Sequence, residues 1–71
     1  MKDLNIKELR YKKSLILSRM IELRSAIKSY KNYDEDMKLK YHDNYIKNIK
    51  LFIQYNYDIK MIDLEINFKL N

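Results

Sequence analysis

The stretch YNYDIKMIDLEINFKL, residues 55–70, fits two periods at once. Its apolar residues at 55, 57, 59 and 61, then at 62, 64, 66, 68 and 70, alternate as in a β-strand with one change of phase. Those at 55, 59, 62, 66 and 70 instead share one face of a helix. The two readings differ in what the backbone requires. No other segment of the chain alternates, so a strand here would have to pair with the sheet edge of another chain. A helix satisfies its own N–H and C=O groups. The favoured reading is helix to about residue 65, with residues 58–70 extended or in a strand as the alternative.

Working outward, the rest of the chain favours helix. It contains no glycine and no proline, the commonest turn and hairpin residues. Ile6, Leu9, Lys13, Ile16, Met20, Leu23, Ile27 and Tyr30 are spaced alternately three and four apart. All but Lys13 are apolar or aromatic, which makes a heptad seam suited to packing against another helix. Asn5 followed by Glu8 fits a capping box, and Leu4 and Leu9 stand where a hydrophobic staple would. Lys28 and Lys31 meet the negative end of the helix dipole, and Asn32 is a residue that tolerates a left-handed cap. These signals predict a first helix over residues 5–31 and a turn over 32–36. Asp34, Glu35 and Asp36 suit the start of a second helix over about 37–65, antiparallel to the first because the connection is short.

The second helix is apolar over more of its circumference than one neighbour can cover. One stripe holds Ile46, Ile49, Ile53, Tyr57, Met61, Leu64 and Phe68; a second holds Tyr45, Phe52, Ile59 and Ile66. A surface helix in a globular protein needs one apolar face, so this one is expected to touch at least two neighbours. Asn56, Lys60, Asp63 and Asn67 interrupt the apolar region as a boundary between stripes or as a polar device that fixes register. The fold predicted is an all-α antiparallel two-helix hairpin in one small domain, residues 1–71, completed by self-association into a four-helix bundle or by a larger partner.

Size supports that expectation. A chain of 71 residues buries only about 60% of its unfolded surface, so it is marginally stable alone. It has no cysteine, hence no disulfide or thiolate–metal staple. Apolar runs reach three residues, as in LIL at 15–17 and LFI at 51–53, too short for a signal peptide core or a membrane span. A soluble, cytoplasmic protein without membrane contact is the resulting expectation.

Nothing in the sequence carries catalytic chemistry, and the chain is predicted not to be an enzyme and to use no cofactor or metal. His42 is the single histidine, and its neighbour Asp43 points elsewhere on a helix. Asp34–Asp36 lack the glycine and ligand spacing of a calcium loop. Ser14, Ser18, Ser25 and Ser29 have no base at useful spacing.

Charge and aromatic residues carry more information. The net charge is +5, but residues 1–33 hold a balance of +6 and residues 34–71 a balance of −1. All three arginines fall in the first helix. Arg10, Arg24 and Lys31 flank one side of its seam, and Lys12 and Arg19 the other, forming a candidate basic interaction surface. The candidate apolar and aromatic interface of the second helix takes in Tyr45, Phe52, Tyr55, Tyr57, Ile59, Met61, Ile62, Leu64, Ile66 and Phe68. Tyrosine interleaved with lysine can stack on single-stranded bases, and it also supplies large contact area in protein interfaces. Asn, Ile, Lys and Tyr make up 36 of the 71 residues, a bias toward A/T-rich codons that accounts for part of the lysine excess.

The segments IELR (21–24) and IKNIKLFI (46–53), with the basicity and the inferred hairpin, resemble the small two-helix protein of the large ribosomal subunit that lies near the peptide exit tunnel. The resemblance covers about half the chain and implies an RNA-binding structural role. The chain departs from that family in lacking its ATGQ-like turn and the alanine and arginine of its second segment. The main functional expectation is a small non-catalytic regulator, inhibitor or adaptor. Its expected partner is a protein, either a second copy or a larger macromolecule, with nucleic acid as the rival target. Short A/T-biased chains of this kind are common products of mobile elements such as phages, where interference with a host protein is a plausible role.

Overall fold

The computed structural model describes residues 5–71, and Leu4, the expected staple partner of Leu9, lies outside them. Three helices follow in order: α1 (Ile6–Lys31), α2 (Glu35–Lys40) and α3 (His42–Leu70). There is no strand among the described residues. The molecule is a rod of 52 × 15 × 15 Å.

Helix α1 starts where its cap dictates. Glu8 N–H donates to Asn5 Oδ1 at 2.8 Å, and Glu8 Oε1 accepts in return from Asn5 N–H at 3.5 Å. Two backbone donors that have no partner within the helix are thereby satisfied. The other end departs from expectation. Asn32 is not left-handed but sits at φ −95°, ψ 0°, with its N–H shared between Ser29 and Tyr30 carbonyls. A tightened last turn replaces the left-handed cap, and no described residue has positive φ. Asp34 then caps α2, its carboxylate accepting from Met37 N–H at 2.8 Å.

The expected single second helix is two. A break at Tyr41 (φ −105°, ψ 14°) separates α2 from α3. In an unbroken helix the Lys38 carbonyl would accept from His42 N–H. Here the Tyr30 hydroxyl donates to that carbonyl at 3.1 Å, so the backbone can bend without orphaning an acceptor. The Tyr30 ring stacks on Tyr45 at 4.0 Å and 14°, and Tyr33 leans against Tyr30 and Tyr41, each at 5.8 Å. Four tyrosines thus hold the turn end of the rod.

Residues 58–70 are helical to Leu70, which corrects both the extended alternative and the expected end near 65. The reason is local. Helix meets every backbone need within the segment, and the face at 55, 59, 62 and 66 finds α1 to pack on. The two long helices run antiparallel: Lys13 meets Asp63, Arg19 meets Tyr55, Arg24 lies over Phe52 and Tyr30 stacks on Tyr45. Partner numbers fall along α3 as they rise along α1, so the chain folds back about residue 38. Leu9, Ile16, Met20, Ile62 and Ile66 form the buried core, with Ile6, Phe52, Tyr55 and Ile59 packed around it.

Candidate interaction surface

Helix α3 has two apolar faces, and only one of them is used within the fold. The inner face follows Tyr45, Asn48, Phe52, Tyr55, Ile59, Ile62 and Ile66, in steps of three and four, and every member is buried or half-buried. It meets the α1 seam of Ile6, Leu9, Lys13, Ile16, Met20, Leu23, Ile27 and Tyr30, also buried or half-buried throughout. Leu9 and Ile62 are fully covered, at 0% exposure. Of the candidate interface residues, Tyr45, Phe52, Tyr55, Ile59, Ile62 and Ile66 therefore face α1. The candidate interface is thus split, with these six residues packed toward α1 and Tyr57, Met61, Leu64 and Phe68 exposed.

The outward face is the other stripe. Ile46, Ile53, Tyr57, Met61, Leu64 and Phe68 are exposed, whereas Ile49, expected in this stripe, is half-buried and the exposed position beside it is Lys50. At about 100° per residue the stripe's mean direction lies roughly 170° round the helix from the α1-facing seam. Phe68 is 80% and Ile53 62% exposed, high for apolar side chains. Leu17 and Ile21 of α1 are exposed as well. They share a helix side with Arg24, whose guanidinium carbon lies 5.9 Å from the Phe52 ring centroid. Antiparallel geometry places Ile53 and Leu64 on that same side of the rod. These apolar side chains are interspersed with the exposed Asn56, Lys60 and Asn67 of α3 and with Arg10 and Arg24 of α1. The most continuous bare apolar feature is the outer stripe of α3, and such stripes mark interaction surfaces.

The basic residues fall on two edges. Arg10, Arg24 and Lys31 are seven or fourteen apart with Leu17 in register between them, so this edge mixes cation and leucine. Lys12 and Arg19 lie on the opposite edge, and all five are exposed. Arg19 Nη1 donates to Tyr55 Oη at 3.5 Å, which with its electrostatic attraction raises the guanidinium pKa above its ordinary value. Arginine is charged at physiological pH in any case, so this contact positions the side chain and switches nothing.

Two cross-helix features escaped sequence reading. Lys13 Nζ meets Asp63 Oδ1 at 2.6 Å. The one cation in the α1 seam thus pairs with one of the polar interruptions of α3, and the pair holds register. The Tyr30 cluster is the second. Folding the sequence back about residue 38 brings 13 to 63 and 30 to 45, and that symmetry was the available signal.

Among the described residues, no three His, Cys, Asp or Glu converge to hold a metal ion, and no helix is long and apolar enough to cross a membrane. Compared with known protein families, with curated proteins and with solved structures, the chain matches none.

Proposed function

We propose that the chain is a small non-catalytic binding protein, a regulator, inhibitor or adaptor that works by docking its helical surfaces on a larger macromolecule. The observation that carries this reading is the outward stripe of α3. Five residues make the buried core, while Ile53, Tyr57, Leu64 and Phe68 stay largely in water. Such a distribution suits a fold whose apolar surface is completed by association. No catalytic step is proposed. The A/T-shaped composition supports a mobile-element origin.

Capture of partners from native extract, with and without nuclease, tests the reading. The expected result is one protein retained after nuclease treatment and at moderate salt, and lost with Leu64→Asp. Retention of nothing specific under any condition contradicts it.

A second reading, RNA binding, is favoured by the exposed row Arg10, Arg24 and Lys31 with Lys28 beside it. Lysine and arginine bound to phosphates release counterions, so such binding collapses between low and moderate salt. An Arg10/Arg19/Arg24 triple alanine variant would abolish it and leave salt-tolerant protein capture intact.

A further inference from the structure

The outward stripe of α3 is nearly self-complementary about its own midpoint. From Tyr57 it extends four residues to Ile53 and to Met61, seven to Lys50 and to Leu64, and eleven to Ile46 and to Phe68. In an antiparallel pair of identical helices related by a two-fold axis, facing residues have numbers of constant sum. With that axis at Tyr57, Ile46 faces Phe68 of the second copy, Ile53 faces Met61, and Tyr57 faces itself. The one charged member, Lys50, faces Leu64; the neighbouring acid Glu65 already pairs with Lys69 at 3.8 Å.

We propose that the occupant of this stripe is a second copy of the chain, packed through α3 against α3, antiparallel and centred on Tyr57. This rests on the reading of the stripe as a binding surface, and it assigns the stripe to a second copy in place of a larger macromolecule.

Charge selects the orientation. In the antiparallel register Asp43, Lys47, Asp58 and Lys60 fall opposite Asn71, Asn67, Asn56 and Gln54, all neutral. No like charges are opposed along α3. A parallel, in-register pair would set Lys50 against its own copy in the middle of an apolar contact, which is unfavourable.

Area sets the scale. The chain exposes 5954 Å² at a mass of 8.8 kDa. A compact monomer of that mass exposes about 4,800 Å². The excess of about 1,200 Å² exceeds the roughly 800 Å² that each partner gives up in a standard interface. The elongated 52 × 15 × 15 Å shape accounts for this excess, and it leaves each chain enough surface for a standard interface.

The chain has no cysteine of its own, so single cysteines report geometry cleanly. Under mild oxidation Tyr57→Cys is expected to form a disulfide dimer in high yield, because the two positions meet on the axis. Ser18→Cys, on the outer side of α1, is expected to stay reduced. Tyr57→Glu brings two carboxylates together and is expected to raise the dimer dissociation constant ~100-fold or more. Sedimentation equilibrium reads that change for every variant, with circular dichroism reporting helix content.

Equal cross-linking at positions 18 and 57 overturns the register. So does a wild-type chain that is helical and monomeric at submillimolar concentration. If Tyr57→Glu unfolds, the Tyr57→Cys comparison decides alone. A monomer that still captures a protein through α3 overturns self-pairing and leaves the binding function standing. A cross-linked dimer that captures nothing supports self-pairing and removes the regulator.

Discussion

The two apolar faces of α3 are made of the same residue types, yet one is core and the other is surface. The inner face repeats every 3.5 residues on average and meets an α1 seam of the same period, the condition for continuous helix-to-helix packing. The outer stripe runs 46, 50, 53, 57, 61, 64, 68, a longer mean period that drifts the opposite way round a straight helix. Hydrophobicity alone does not choose between them. The choice comes from which face has a partner in the same chain with matching period and matching polar positions. The comparison teaches that an apolar face becomes core only when its partner is present.

The largest effect that could break this comparison is at the inner face. Ile62→Ala, at a fully covered site, is expected to destabilise by about 3 kcal/mol, read as a shifted urea midpoint. A loss under 1 kcal/mol would mean the α1–α3 seam is not the core. Tyr30→Phe keeps the stacked ring and removes the hydroxyl from the Lys38 carbonyl. It is expected to cost about 1 kcal/mol and to bring the break at Tyr41 closer to continuous helix, visible as new exchange protection at His42 N–H. Lys13→Met exchanges a partly exposed ion pair for an apolar contact. Its stability change is expected to stay within about 1 kcal/mol in either direction, while helix register, read by spin-label distances, becomes less well defined. Smallest of all is Leu64→Gln on the outer stripe. At high dilution it should change stability by less than about 0.5 kcal/mol, because that side chain is already 58% exposed in the single chain.

These contrasts also mark what sequence could reveal. The start of α1 was legible because Asn5 and Glu8 form a reciprocal cap whose logic is local. The outline of the hairpin was legible because a short acidic turn separates two periodic segments. The break at Tyr41 was not, since no Gly or Pro signals it and the hydroxyl that accommodates it belongs to Tyr30, eleven residues earlier. Which α3 stripe faces α1 was not legible either. Both stripes are apolar, and the deciding contacts, Lys13 with Asp63 and Tyr30 with Tyr45, are tertiary. The candidate interface therefore mixed inward residues such as Ile62 with outward ones such as Phe68. The sequence established that α3 has more apolar surface than one neighbour can take, and the structure separates the covered part from the bare part.

The most direct test of that division is the concentration dependence of thermal unfolding. If the outer stripe of α3 is covered by a second copy, unfolding is coupled to dissociation. The midpoint should then rise by about 4 °C for each tenfold increase in chain concentration. A midpoint that stays constant over a hundredfold range of concentration would contradict the account, because mass action leaves no such invariance to a dimer.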